Sequence, residues 1–255
     1  MEEVYPLRYT PTGLIFISPK DNCGKVVDAM LATDYMEEFC IALDWTPPFI
    51  ARLMKAGFLV MSETLTIVDR NPVSCDLVLP KLHLVRSVLF FNNLHVKQSI
   101  KPYLPRYELR FDTEFETVVN NCLTIHGTGW LTPSLVEILF TIRKNADAES
   151  APKNNPFPAL VPTPYPRPVS FGLYRNGALK AGEFGVMCGR VYTSYSGYKT
   201  EDNAGTVQMI LMARALKEAG FDFLDFGMPL GYKTDLGSLD ISPKRFVSIF
   251  RAAQF

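Results

Sequence analysis

Residues 169–187 read VSFGLYRNGALKAGEFGVM, which is two apolar runs joined by a short polar segment. The segment contains Asn176-Gly177, the dipeptide that most readily adopts the positive φ angles of a tight hairpin turn. Gly189 permits a second reversal of the chain, because glycine adopts positive φ without a steric penalty. The stretch therefore predicts three consecutive antiparallel strands, at residues 169–174, 179–187 and 190–196.

A helix and a further strand follow this meander. Between Asn203 and Gly220 the main apolar residues fall within an arc of about 120° on a helical wheel, which predicts an amphipathic helix packed on the sheet. Residues 221–226 form another apolar run typical of a strand, and Ser242-Pro243 is typical of the start of a last helix. Strands followed by a helix, a strand and a helix predict an α+β fold.

The sequence that precedes this region predicts short helices and one irregular segment. Residues 144–168 hold seven of the 19 prolines. Because proline removes a backbone donor and fixes φ, this segment is expected to be a surface insertion. We predict a small N-terminal α/β domain over residues 1–94 and a second domain over residues 95–255. Capping-type residues and apolar spacing indicate where the earlier helices begin, namely after Asp44, Thr113 and Thr132.

The composition excludes several classes of protein. The 255 residues include 26 Lys plus Arg and 26 Asp plus Glu, so the formal net charge is zero. This argues against a protein that coats nucleic acid electrostatically, because such binding depends on Lys and Arg replacing counterions at phosphates. The five cysteines are odd in number and far apart, which fits neither a disulfide framework nor a zinc or redox pair. No apolar run approaches the roughly 20 residues needed to cross a bilayer. We therefore expect free thiols, no membrane segment and a cytoplasmic location.

The charge is unevenly distributed along the chain. Between Lys81 and Arg110 six basic residues face one acidic residue, Glu108, which leaves an excess of five positive charges. Such a run is commonly a solvated face, and it is also what a polyanion-binding flank requires. Both interpretations stay open on the pattern alone.

Motifs for common catalytic sites are missing from the sequence. There is no phosphate-binding loop, dinucleotide-binding glycine pattern, HExxH or GxSxG. Asp225 is more informative, because a carboxylate between Leu224 and Phe226 has to be buried among apolar side chains or placed where the strand opens onto a site. The hydroxyl-rich run 194–198 fits either a pocket lining or β propensity alone. The histidines have no spacing that suggests metal ligands and are interpreted as ordinary polar residues: His83, His95 and His126.

Several short motifs occur together in an order that is hard to obtain by chance. In the C-terminal half these are LKAGEFGVMCG at 179–189, GFDFLD at 220–225 and LGS at 236–238. Upstream they are DWTP at 44–47, FDTEFE at 111–116 and GWLT at 129–132. Over roughly residues 44–250 the chain resembles the leucyl/phenylalanyl-tRNA–protein transferase family.

This resemblance implies a fold and an activity. The C-terminal domain is expected to have an N-acetyltransferase-like (GNAT) fold. It is expected to move an aminoacyl group of the Leu/Phe class from tRNA to the N-terminal amine of an acceptor protein. The family needs neither a metal nor an organic cofactor for this aminolysis of an activated ester. Asp225 matches the family's catalytic aspartate and is the predicted catalytic residue.

On this interpretation two further groups of residues have predicted roles. The residues expected to bind the substrate are Tyr195, Ser196, Tyr198, Arg86 and Trp130. The residues expected to contact tRNA phosphates lie in the basic stretch and are Lys81, Lys97, Lys101 and Arg106.

Three positions depart from the family pattern. Gly227 stands where the family has a glutamine that acts with the aspartate, Tyr195 stands where it has a glutamate, and Pro80-Lys81 stands where it has paired tryptophans. The alternative is therefore a GNAT-fold binding protein without catalysis, for a peptide N-terminus, an RNA end or a protein partner. Transfer of an acyl group from coenzyme A is less well supported, because the segment before residue 203 lacks the glycine-rich turn that usually holds pyrophosphate.

Overall fold

The computed structural model describes residues 5–67, 73–150 and 159–255. Its α-helices are α1 (Cys23–Ala32), α2 (Pro47–Lys55), α3 (Phe115–His126), α4 (Pro133–Ser150), α5 (Ala204–Glu218), α6 (Gly231–Asp235) and α7 (Pro243–Ala252). Its strands are β1 (Ile15–Phe16), β2 (Cys40–Ile41), β3 (Leu59–Ile67), β4 (Val73–Lys81), β5 (Arg86–Phe90), β6 (Glu108–Phe111), β7 (Thr163–Arg175), β8 (Ala178–Gly189), β9 (Val191–Lys199), β10 (Phe223–Gly227) and β11 (Leu239–Ile241). The 3-10 helices Phe91–Asn93 and Lys101–Arg106 lie between β5 and β6.

A seven-stranded sheet in the order β11-β5-β10-β9-β8-β7-β6 forms the centre of the molecule. β7, β8 and β9 are neighbouring antiparallel strands, and β10 lies parallel to β9. Asn176 and Gly177 form the turn between β7 and β8 with φ of 53° and 75°. The predicted meander, the α+β class and the GNAT-like order of meander, helix and parallel strand are confirmed.

β5 is inserted between β11 and β10, although it comes long before both of them in the chain. It pairs antiparallel with each, placing Leu224 opposite Leu89 and Asp240 opposite Ser87. The strand precedes the predicted domain boundary at residue 94, yet it belongs to the sheet of the C-terminal part. The division into residues 1–94 and 95–255 stays a prediction.

Helices cover the sheet on both faces. On one face, the helices α1, α2, α3, α4 and α7 share a hydrophobic cluster with Phe184, Val186 and Cys188 of β8. On the other face, α5 shares a second cluster with Ala181 and Met187 of the same strand. Because side chains alternate along a strand, one run of apolar residues supplies both cores. The parallel pair β1–β2 and the antiparallel pair β3–β4 complete the N-terminal part.

A β-bulge between β8 and β9 shapes the region where the candidate site lies. Phe184 pairs with Ser196 and Gly185 pairs with Ser194, so Tyr195 is the extra residue. A β-carbon at position 185 would lie 2.2 Å from a backbone carbonyl oxygen of β9, a clash that only glycine avoids. The bulge bends the strand and re-aims the side chain of Tyr195.

The prediction of an irregular segment over residues 144–168 is wrong at both ends. α4 continues to Ser150, and β7 begins at Thr163. The buried face of α4 continues past residue 144, since Ala146 is buried. β7 accommodates Pro164 and Pro166 because its pairing with β8 is interrupted between Thr163 and Arg167. Residues 151–158, which complete the predicted insertion, lie outside the described residues.

None of the helices in the described part of the chain is both long and apolar enough to span a bilayer. The cysteines are free thiols, as predicted. Cys23, Cys40, Cys122 and Cys188 are buried, and Cys75 is exposed.

Candidate active site

Arg86 and Asp225 form a buried ion pair inside the seven-stranded sheet. They lie on β5 and β10, which are antiparallel neighbours. Arg86 Nε donates to Asp225 Oδ1 at 2.8 Å, and Arg86 Nη2 donates to Asp225 Oδ2 at 2.6 Å. Asp225 is fully buried and Arg86 is 1% exposed. Two parallel charge-assisted hydrogen bonds fix the orientation of the guanidinium, so the fold brings these two predicted site residues together.

All the hydrogen-bond acceptor positions of the Asp225 carboxylate are occupied. In addition to the two bonds from Arg86, Thr193 Oγ1 donates to Oδ2 at 2.9 Å and the backbone N–H of Gly227 donates to Oδ1 at 2.9 Å. Four donors fill the acceptor sites of a carboxylate. Asp225 therefore holds Arg86 in place, and a direct bond from Asp225 to an attacking amine requires one of these donors to leave.

The guanidinium of Arg86 keeps one nitrogen without a partner. Its carbon lies 4.2 Å from the centroid of the Phe246 ring, in a cation–π contact. Arg86 Nη1 is buried and makes no hydrogen bond. Because buried donors nearly always have a partner, this nitrogen marks a position that suits a ligand oxygen.

Gly227 ends β10 beside the ion pair. Its φ of 70° lies in the left-handed region that favours glycine, and the pairing of β10 with β5 shifts register between Asp225 and Gly227. A β-carbon at position 227 would lie 3.4 Å from Leu59 Cδ1 and 3.5 Å from His83 Nε2. The space beside Gly227 is therefore bounded by these two side chains.

β9 and β10 separate at the same place. Their parallel pairing ends at Thr193 and Asp225, while β9 runs on for another six residues. The turn that follows β10 is held by Lys233, whose Nζ donates to the carbonyl oxygens of Phe226 at 2.7 Å and Met228 at 2.8 Å. Burial lowers the pKa of Lys233. The candidate site therefore lies where two parallel strands diverge.

His83 is a buried neutral side chain close to the ion pair. It is 4% exposed, and its Nε2 makes no hydrogen bond. Its Nδ1 lies 3.7 Å from Glu38 Oε1. Burial, assisted by the charges of Arg86, Lys81 and Lys233, lowers the pKa of His83 to about 2, so the imidazole is uncharged at neutral pH. The sequence predicted an ordinary polar residue here, because no spacing motif includes His83 and its burial has no local signal.

Tyr195 and Trp130, two of the predicted substrate-binding residues, lie in contact. Their ring centroids are 6.3 Å apart. The hydroxyl of Tyr195 accepts a hydrogen bond from the backbone N–H of Val60 at 3.3 Å. Burial raises the pKa of Tyr195, and the charges of Arg86 and Asp225 are close enough to act on it. The two rings therefore form an aromatic wall near the ion pair.

The other two predicted substrate-binding residues lie further along β9. Ser196 is half-buried and pairs with Phe184. Tyr198 is buried, and its hydroxyl accepts a hydrogen bond from Asn121 Nδ2 at 2.8 Å. Tyr198 also lines a separate groove of about 310 Å³ beside α3. It is five residues beyond Thr193, about 16 Å along an extended strand, so the fold does not bring Tyr198 to the ion pair.

The four basic residues predicted to contact phosphates are spread between β4 and β6. Lys81 is half-buried, and its Nζ lies 2.9 Å from Glu38 Oε2. Lys97 is exposed and forms an exposed ion pair at 2.6 Å. Lys101 and Arg106 lie at the two ends of an exposed 3-10 helix. Lys97, Lys101 and Arg106 are therefore the more accessible positions.

Glu183 is a second buried carboxyl group, separate from the candidate site. Because side chains alternate along β8, it faces the opposite side of the sheet from Phe184. Burial raises the pKa of Glu183 to about 7, against the lowering effect of the Ser194 hydroxyl and the Lys233 charge. Its Oε1 makes no hydrogen bond. Among the described residues no three His, Cys, Asp or Glu side chains are grouped closely enough to hold a metal ion.

The strand order, the position of α5 and the parallel pair β9–β10 define a protein of the GNAT-like α+β class. Residues 88–251 match the family model described as leucyl/phenylalanyl-tRNA protein transferase. The match extends over more than half of the chain. The chain therefore belongs to this family of aminoacyl-tRNA transferases, and the resemblance indicated by its motifs is confirmed.

Curated relatives carry the same family description. A leucyl/phenylalanyl-tRNA–protein transferase from Pseudomonas putida is 29% identical over 167 residues, which cover 63% of this chain and 65% of the relative. One from Campylobacter jejuni subsp. doylei is 23% identical over 208 residues, which cover 81% of this chain and 85% of the relative. The chain thus spans less than two thirds of the length of the Pseudomonas relative. Among solved structures, a GCN5-related N-acetyltransferase from Kribbella flavida has a TM-score of 0.32 at 12% identity, covering 89% of this chain and 75% of that one.

Proposed function

We propose that this protein transfers an aminoacyl group from the 3′ ester of a tRNA to the N-terminal amine of a protein. The observation that carries this proposal is the buried guanidinium of Arg86, which is fixed by Asp225 and keeps Nη1 unpartnered. A preorganised donor of this kind suits an ester carbonyl oxygen that gains negative charge during the reaction. Family membership supports the same activity.

The proposed reaction is the aminolysis of an activated ester. The amine nitrogen forms a bond to the carbonyl carbon, the bond between that carbon and the ribose oxygen breaks, and one proton passes from the nitrogen to the departing oxygen. The protein has to align the two reactants and stabilise the oxyanion. The proposed reaction is complete with these bonds and this proton, and no metal or organic cofactor takes part in it.

The predicted site residues have the following parts in this proposal. Asp225 acts through its charge, because it orients Arg86 and compensates its charge in a buried place. Tyr195 and Trp130 form part of the wall for the aminoacyl side chain, which fits the Leu/Phe class. Ser196 and Tyr198 stay predictions for contacts with more distant parts of the substrates.

The proposed approach of tRNA is over the exposed basic positions between β5 and β6. Lys97, Lys101 and Arg106 have the charge and exposure to contact phosphates, with Lys81 behind them. The proposal also includes the division at residue 94 and a cytoplasmic location, where charged tRNAs are available.

The experiment that tests this function follows a radiolabelled amino acid from charged tRNA to a peptide. Leu-tRNA and Phe-tRNA are compared with a tRNA charged with a polar amino acid. Peptides with N-terminal Lys or Arg are compared with the same peptides acetylated at the N-terminus. We expect label to enter the free-amine peptides from the Leu/Phe class. Absence of transfer from every charged tRNA, by protein shown to be folded by circular dichroism, contradicts the proposal.

Binding without catalysis is the second candidate function. It is favoured by Gly227, which lacks a side chain to act with Asp225, and by the four donors that occupy Asp225. Such a protein would hold a peptide N-terminus or an RNA end at the unpartnered buried atoms. Fluorescence titration with the same peptides and tRNAs separates the two functions, because saturable binding without transfer supports the second and transfer excludes it.

A further inference from the structure

Two buried polar atoms without a hydrogen-bond partner belong to residues that border the end of β10, because Arg86 is bonded to Asp225 and His83 lies beside Gly227. Arg86 Nη1 offers a donor there, and His83 Nε2 offers an imidazole nitrogen. Both residues belong to the segment between the end of β4 and the start of β5. In the part of the chain that the structure describes, the buried unpartnered side-chain atoms are His83 Nε2, Arg86 Nη1, Thr132 Oγ1, Ser170 Oγ, Glu183 Oε1 and Tyr192 Oη.

The imidazole of His83 lies next to Gly227. Its Nε2 is 3.5 Å from the place that a β-carbon of Gly227 would occupy, and Leu59 lies 3.4 Å from the same place. The backbone N–H of Gly227 in turn donates to Asp225 Oδ1 at 2.9 Å. Nε2 therefore lies beside Gly227, the residue whose backbone N–H holds the carboxylate, at the point where β10 provides no side chain.

The surroundings of His83 favour one tautomer of its ring. Nδ1 lies 3.7 Å from Glu38 Oε1, and the other oxygen of Glu38 pairs with Lys81. A carboxylate beside Nδ1 favours the tautomer with its proton on Nδ1, which leaves the lone pair on Nε2. Burial and the positive charges of Arg86, Lys81 and Lys233 disfavour the imidazolium form, and they outweigh the Glu38 carboxylate on the Nδ1 side. His83 therefore presents a neutral acceptor to the site.

We infer that His83 is a catalytic residue of the transfer reaction. Its Nε2 accepts a hydrogen bond from the attacking amine, and this bond orients the lone pair of the amine nitrogen towards the ester carbon. This inference rests on the proposed function. Asp225 is filled by four donors and Gly227 has no side chain, whereas His83 Nε2 is an unpartnered acceptor close enough to Arg86 for the guanidinium charge to act on its ring. As the C–N bond forms and the C–O bond breaks, the proton shared with Nε2 is delivered to the departing ribose oxygen, and no stable imidazolium is formed.

Three variants test the role of His83. His83→Leu removes the acceptor and keeps an apolar side chain, His83→Gln replaces the ring by an amide, and His126→Gln changes an exposed histidine at the end of α3, away from the ion pair and the basic stretch, as the matched control. We expect His83→Leu to lower kcat by about tenfold or more, with KM for aminoacyl-tRNA within about twofold. His83→Gln is expected to recover most of the rate, and His126→Gln to match the wild type.

The outcomes separate this inference from the proposed function. An unchanged kcat in folded His83→Leu overturns the role of His83 while the transfer activity stands. Equal losses in the Leu and Gln variants also overturn it, because they indicate packing alone. A wild-type protein that transfers nothing overturns both proposals.

A second measurement covers a His83→Leu variant that fails to fold. ¹⁵N NMR of histidine-labelled wild type is recorded before and after addition of an acceptor peptide with an amide-linked, non-hydrolysable phenylalanyl-adenosine. An Nε2 of His83 that carries no proton and shifts on this addition supports the inference. An Nε2 that carries the proton, or does not shift, overturns it.

Discussion

Arg86 and Asp225 are 139 residues apart in the chain and meet through two parallel hydrogen bonds of 2.8 and 2.6 Å in the interior of the sheet. Removing two charges from water costs free energy that is recovered only with good geometry and satisfied hydrogen bonds. Thr193 and Gly227 satisfy the carboxylate, whereas Nη1 of the guanidinium is left without a partner. Folding alone does not account for that unsatisfied nitrogen, which is why the pair is interpreted as part of a site.

Breaking the ion pair is expected to affect stability and activity in different ways. Asp225→Asn leaves Arg86 as an uncompensated buried cation, which is expected to lower the free energy of unfolding by about 3–5 kcal/mol and to abolish transfer. The double variant Arg86→Met with Asp225→Leu is expected to recover much of the stability and none of the activity. Urea denaturation and the transfer assay measure the two effects. A double variant that keeps more than about a tenth of the wild-type rate would show that the pair takes no part in the chemistry.

The stability of the protein is expected to fall as the pH rises through the titration of Glu183. The pKa of this carboxyl is about 7 in the folded protein and 4.5 without the influence of the fold. The folded state binds more protons between these values, so this contribution is complete below about pH 4.5 and is lost as the pH rises through about 7. The loss is about 3 kcal/mol. Glu183→Gln stays neutral and is expected to remove this dependence. The urea midpoint is measured at several values from pH 5 to pH 8. It should fall with pH more steeply in the wild type than in Glu183→Gln, and parallel curves would rule out the raised pKa of Glu183.

Neutralising the exposed bases is expected to weaken binding of tRNA. Replacing Lys97 and Lys101 by alanine removes two charges from the basic stretch, and it also frees Asp235, the partner of Lys97. Affinity is expected to fall, and the slope of log affinity against log salt to become shallower by up to about 2. Filter binding at several salt concentrations measures both. Lys20→Ala with Lys25→Ala, two exposed positions elsewhere, is the control, and equal behaviour of the two double variants would move the tRNA site away from Lys97 and Lys101.

Restoring a glutamine at position 227 is expected to bring no gain in rate. Gly227→Gln places a side chain on a backbone with φ of 70°, which is expected to cost about 1–2 kcal/mol of stability. The longer side chain also meets Leu59 and His83, which already bound this space. Gly227→Ala has the same backbone strain without the extra length and separates the two effects. A faster reaction in Gly227→Gln than in Gly227→Ala and wild type would show that the glutamine is what the site lacks.

The central meander and its helices were predictable because their signals are local. Asn176-Gly177 specifies a turn within four residues, and the period of the apolar residues specifies α5. The start of α7 at Ser242 is likewise local, since its hydroxyl accepts a hydrogen bond from the backbone N–H of Arg245. The position of β5 was not predictable, because nothing in residues 86–90 indicates that their partners are β10 and β11.

The candidate site was predictable only in part, for the same physical reason. Asp225 was predicted from a carboxylate within an apolar strand, and Arg86 from the family motif, but their bond depends on the pairing of β5 with β10. The burial of His83 and Glu183 depends on elements that arrive from elsewhere in the chain. Tyr198 was predicted with Tyr195 because they are close in sequence, whereas the length of β9 separates Tyr198 from the ion pair.

The place of β5 in the sheet has a consequence for the order in which the protein is completed on the ribosome. Both neighbours of β5 are synthesised long after it, so Arg86 has no partner until 139 further residues have been added and Asp225 is present. At roughly 5–20 residues per second this wait is about 7–28 s. The edge strand β6 and the meander are synthesised before β10 and β11, so the side of the sheet that contains β5 is the last part to close. A nascent chain released before residue 225 therefore keeps an arginine-bearing strand without its partners, and it never acquires the buried pair.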